Sequence, residues 1–116
     1  VEVRLGRDAV PGNRHRPDGI ELRWRQIGIK GLIADPQLPF FVQWQSRLDH
    51  HPSSGASGQI SLVKLEIAGD PTRVTAWLGE DPAAILHSLE VEWVAPHGIP
   101  GVVAAHFQTA DGIVRI

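Results

Sequence analysis

Apolar and polar residues alternate with a period of two over much of the chain. That period puts successive side chains on opposite faces of an extended strand. Val1, Val3 and Leu5 alternate with Glu2, Arg4 and Gly6; Ile20, Leu22 and Trp24 alternate with Glu21, Arg23 and Arg25. Phe40, Val42 and Trp44 alternate with Phe41, Gln43 and Gln45, and Leu89, Val91 and Trp93 with Glu90 and Glu92. Each run predicts a strand with one apolar and one more polar face. Residues 59–67, rich in Ile, Leu and Val, predict another, as do residues 102–109, with Ala104 and Ala105 at their middle. Asp111-Gly112 is a hairpin-type turn pair and predicts a short last strand over 113–116.

The pattern switches to helical spacing in one place. Val74, Trp77 and Leu78 fall at i, i+3 and i+4, behind Asp70 as N-cap and Pro71 at the first helical position, with Gly79 at the exit. A second short helical turn is predicted from Asp81-Pro82 towards His87. Residues 11–19, 28–39 and 47–58 read as polar or turn-rich loops. The order is therefore strand-strand-strand, loop, strand-helix-strand-strand-strand. Residues 59–116 form a complete βαβββ module, 47–58 a linker loop, and 1–46 a partial module of three strands that lacks its opening strand and helix.

Composition narrows the class. A length of 116 residues suits a small domain, and a net charge of −2 excludes a nucleic-acid binder held by global charge. With no cysteine, neither a disulfide framework nor a Cys-based zinc site is available. No apolar run is long enough to span a bilayer, and no signal peptide opens the chain. Ser-His-Asp elbows, phosphate-binding glycine loops and HExxH patterns are absent from the sequence.

Three stretches carry a family resemblance. The segment Arg14-His15-Arg16-Pro17-Asp18-Gly19-Ile20-Glu21-Leu22-Arg23-Trp24 resembles an R-x-R-P-D-G-x-x-L-x-W strand opening. Leu38-Pro39-Phe40-Phe41-Val42-Gln43-Trp44 followed by His51-Pro52 resembles an L-P-F-x-x-x-W…H-P segment. The third stretch runs from Leu65 through Asp70-Pro71 into the helix, and ends with Thr109-Ala110-Asp111-Gly112 before the last strand. They are similar to the glyoxalase-like domain proteins of the vicinal-oxygen-chelate superfamily, which includes glyoxalase I, bleomycin-resistance proteins and extradiol dioxygenases.

The resemblance implies an α+β fold of βαβββ modules forming curved mixed sheets, in a cytoplasmic homodimer that binds a small organic molecule in a cup. It also implies that the chain is a C-terminal portion of a longer architecture. Catalysis would fall in the lyase, isomerase or dioxygenase classes, with the activity itself undetermined. The alternatives are a non-catalytic sequestering module and a structural domain of a larger enzyme. A divalent metal occurs in the superfamily, but its ligand positions fall near Val63 and at Arg115 or Ile116, which are not donors of the required kind. Gln43 is the one plausible ligand in the earlier module.

Read from the residues, several groups could carry chemistry. His50 and His51 are the candidates for metal, with a solvated loop as the simpler reading. His106, beside Ala104 and Gln108, could line a ligand surface and act as a general base. Trp24 and Trp44, at matching places in neighbouring strands, are candidate pocket walls together with Gln43, His106 and Gln108. Glu90 and Glu92 read as the solvated side of an edge strand. Arg14, Arg16 and Asp18 could cradle a carboxylate or phosphate, although a turn at Asp18-Gly19 with locally paired arginines explains them as well.

Overall fold

A computed structural model describes residues 5–56, 58–94 and 98–116. The strands are β1 (Val10–His15), β2 (Glu21–Ile27), β3 (Phe41–Trp44), β4 (Ser61–Ala68), β5 (Glu90–Val94), β6 (Gly101–Thr109) and β7 (Gly112–Arg115). Two helices, α1 (Pro71–Leu78) and α2 (Pro82–Ile85), lie between β4 and β5, and two 3-10 turns, Leu48–His50 and Pro52–Gly55, follow β3. The chain divides into two compact units: β1–β3 with Pro39–Ala56, and β4–β7 with both helices and Gly31–Leu38. The result is the mixed α+β architecture of curved sheets that the sequence predicts.

The first unit is an antiparallel sheet in the order β1-β2-β3. Its outer strand β1 corrects the sequence reading, which assigned residues 11–19 to a loop. Pro11 and Gly12 both argue against a strand, yet both fit here. β1 is an edge, where a residue without an N–H is tolerated. Gly12 lies opposite Trp24, and a Cβ there would sit 2.6 Å from the indole Cε2. The loop is confined to the turn after β1, where Asp18 Oδ1 accepts from the Ile20 N–H at 3.2 Å and Gly19 takes φ +85°. The predicted strand at Val1, Val3 and Leu5 falls mainly on residues outside those described; Leu5 itself is not in a strand. The buried residues of this unit are Leu22 and Ile27 on β2. An odd spacing puts them on opposite faces of the strand.

The second unit is a mixed sheet in the order β5-β4-β6-β7. β4 and β5 are parallel, and a parallel pair needs a crossover, which α1 and α2 supply. Helix α1 starts and stops where its capping residues dictate. The Asp70 carboxylate accepts from the Thr72 N–H at 2.9 Å, and Gly79, at φ +88°, donates its N–H to the Thr75 carbonyl at 2.8 Å. One-turn helix α2 is capped in the same way by Asp81.

Gly31–Leu38 is tied to the start of α1. Gln37 Oε1 accepts from the Asp70 N–H at 2.7 Å, Gln37 Nε2 donates to Asp35, and Arg73 donates to Asp35. Asp70→Ala should therefore cost about 1 kcal/mol of stability, read as a lower urea midpoint with unchanged slope.

Alternation sorts β4 and its neighbours into an apolar set and a charged set. Leu65, Ile67, Val91, Trp93, Ala105 and Phe107 form the first; Lys64, Glu66, Glu90, Glu92 and His106 form the second. Register shifts at Leu62/Lys64 and Glu66/Ile67 interrupt the pleat. The second shift lies between Ala104 and Val102 on β6. Val102 is 64% exposed while Ala104 is 3% exposed, so the two do not continue one uniform surface.

Candidate functional site

In the first unit the tryptophans meet as the sequence suggests. Trp24 and Trp44 are register partners, with ring centroids 5.4 Å apart and planes at 60°. Both rings are half-buried and engage neighbours. Trp24 lies against Gly12 and donates its indole N–H to Gln26 Oε1 at 2.8 Å. Trp44 meets the His51 ring edge-on, with centroids 5.2 Å apart.

Gln43 is the register partner of Arg25, one residue out of phase with the tryptophans, so it points to the opposite face. There it borders a cleft of about 400 Å³ lined by Ala9, Arg25, Gln26, Ile27, Phe41 and Val42 besides itself. Arg25 is held in part by a hydrogen bond from Nη2 to the Ala9 carbonyl at 3.3 Å. Apolar walls with two or three convergent polar groups are the usual make-up of a small-molecule site.

In the second unit, His106 is part of a cluster centred on Glu66. The His106 ring nitrogen Nε2 lies 2.6 Å from Glu66 Oε2. A carboxylate only accepts, so Nε2 carries the proton and Nδ1 is left as the acceptor of the neutral ring. Arg115 grips the same carboxylate, with Nε 2.6 Å from Oε2 and Nη2 3.2 Å from Oε1. The hydrogen bonds from Arg115, and next from His106, hold the Glu66 carboxyl far below its ordinary range, at about 2.

Beside it Lys64 pairs with Glu92 and, at 3.8 Å, with Glu90. The hydrogen bond to Glu92 holds its ammonium above the ordinary value. The glutamates of β5 are thus an edge strand's charged side, paired across to β4. Gln108 donates instead to the carbonyl of Thr109 at 3.0 Å.

Glu66 carries no site role in the sequence reading. Its signal is the polar alternation of Lys64 and Glu66 inside an aliphatic run. With both oxygens engaged, the carboxylate is a cross-strand tie between β4, β6 and β7 rather than a free base.

The sequence matches the family model described as a glyoxalase-like domain over residues 1–82. The chain belongs to this family. No curated protein and no solved structure gives a significant match. The match takes in all of the first unit together with β4 and α1, so it includes Gln43, Trp44, His50, His51 and Glu66 and stops short of His106, Gln108 and Arg115.

A glyoxalase-type metal is a question of donors. Val63 has none, Arg115 is a cation bound to Glu66, and Gln43 borders its cleft beside Arg25. Among the described residues no group of three or more His, Asp or Glu side chains converges as a metal site, and His50 and His51 have no third partner. The described residues of this glyoxalase-like domain do not fit such a centre. Among them, no helix is long and apolar enough to cross a membrane.

Proposed function

We propose that this glyoxalase-like domain binds a small organic molecule in the cleft on the Gln43 face of β2 and β3. The observation that carries the reading is that Arg25 and Gln43 share one sheet face with Ile27 and Phe41 at a cavity of about 400 Å³, which Gln26 and Val42 border from the intervening positions. Its size is in the range of ordinary ligand pockets. The guanidinium and the Gln43 amide suit a carbonyl, hydroxyl or carboxylate group, and the Phe41 and Ile27 side suits an apolar body. The cleft also lies wholly within the residues that match the family. It contains no paired acid and base, so the reading is recognition of a ligand, with the non-catalytic sequestering role as its natural form.

A nitrogen–proton NMR screen with small oxygenated aromatic compounds tests it. Ligands are expected to shift the amides of residues 25–27 and 41–43. Phe41→Ala and Gln43→Ala should each weaken binding roughly tenfold, as loss of a side chain that the ligand covers does. A screen in which no ligand shifts residues 25–27 and 41–43, or ligands shifting them that bind both variants as well as the native chain, would refute the site.

A further inference from the structure

The fold brings together two groups that are far apart in the sequence and have no part in the proposed cleft. Arg14, at the end of β1, and Arg16, in the turn after it, meet His50, His51 and Ser54 of the 3-10 turns around a second cleft of about 380 Å³. Its apolar lining is Leu22, only 7% exposed, with Pro17 and Pro52. From this arrangement we infer a binding site for an organic carboxylate, held by Arg14 and His51 over the Leu22 floor.

The charges around the cleft are unequally matched. Arg16 is already paired with Asp18 at 2.7 Å, and Asp49, next to His50, is taken by Nε and Nη2 of Arg47, each at 3.0 Å. The Arg14 guanidinium has no hydrogen-bond or ion-pair partner among the described residues. A guanidinium fork left open at a cleft is matched to a carboxylate, which it binds through two parallel bonds.

The imidazole of His51 is set to assist. Its Nδ1 accepts from the Ser53 N–H at 3.1 Å, which leaves the neutral ring's proton on Nε2 as a donor. The Trp44 ring and the extended backbone before Pro52, at φ −58° and ψ 140°, hold that ring in place. The Ser54 hydroxyl adds a further donor at the rim. The Leu22, Pro17 and Pro52 surfaces give an organic body a dry wall that an inorganic anion does not need.

Benzoate, its neutral isostere benzamide and inorganic phosphate separate the possibilities when titrated against the isotope-labelled chain. Benzoate should shift the amides of residues 14–16 and 50–55 and the Arg14 Nε resonance, and benzamide should leave them in place. Arg14→Gln should weaken benzoate about ten- to a hundredfold, the loss of a charge-assisted pair. Arg14→Lys, which keeps the charge but not the fork, should fall between, while Arg73→Gln in the other unit should change nothing. Equal shifts from benzamide would overturn the site. So would binding of phosphate without benzoate, benzoate shifts confined to residues 25–27 and 41–43, or full affinity in both Arg14 variants. The two regions report separately, so failure here leaves the Gln43 cleft standing, and failure there leaves this site standing.

Discussion

Gly12→Val should lower the stability of the chain by about 1–3 kcal/mol, the cost of forcing extra atoms into a filled space. Residue 12 sits on β1 directly across from Trp24, and the indole occupies the volume that any side chain at 12 would need. The indole cannot swing away freely. Its N–H is committed to Gln26, and its face and edge are set against Trp44. The new methyl groups must therefore displace the ring, with loss of its hydrogen bond, or push β1 away from β2.

A double-mutant cycle isolates this contact. In a Trp24→Leu background the smaller side chain leaves room at residue 12, so the cost of Gly12→Val should fall well below its value in the native chain. Urea unfolding gives the energies, and the tryptophan emission reports the ring's displacement. An equal cost in both backgrounds would mean that backbone propensity, not the indole, makes glycine necessary at this position.

The same residue shows where the sequence is readable. Helix α1 is legible because its caps are local: Asp70, Pro71 and Gly79 act on groups within a few residues of themselves. The Trp24–Trp44 pairing is legible because both lie in clear period-two runs. β1 is not, since proline and glycine speak locally for a loop. What overrides them is tertiary, namely an edge position for Pro11 and an indole facing Gly12.

Distance hides the rest. Glu66 finds its partners 40 and 49 residues further along the chain. The two basic groups of the second cleft belong to segments joined only through β2 and β3. Of the sequence candidates, Trp24, Trp44 and Gln43 fall on one sheet but on two faces. His106 is drawn into an ion-paired cluster that its own strand gives no hint of.

That cluster should govern the acid end of the stability profile. Arg115 and then His106 hold the Glu66 carboxyl at about 2, below its ordinary 4.5. A carboxyl depressed in the folded chain gives stability that is fully present above the unfolded value and is lost as pH falls through the folded one. The window is therefore from about 4.5 down to about 2. Thermal midpoints of the native chain should drop across it. Glu66→Gln should start lower at neutral pH and fall less steeply, because the amide cannot titrate and binds the guanidinium weakly.

Glu21 and Asp35 are also lowered, but they are common to both proteins and cancel in the difference between the curves. Arg115→Gln should remove more of the Glu66 contribution than His106→Gln, in keeping with the larger part of the guanidinium. Parallel acid slopes for the native chain and Glu66→Gln would show that the tie across β4, β6 and β7 does not set the acid limit of this fold.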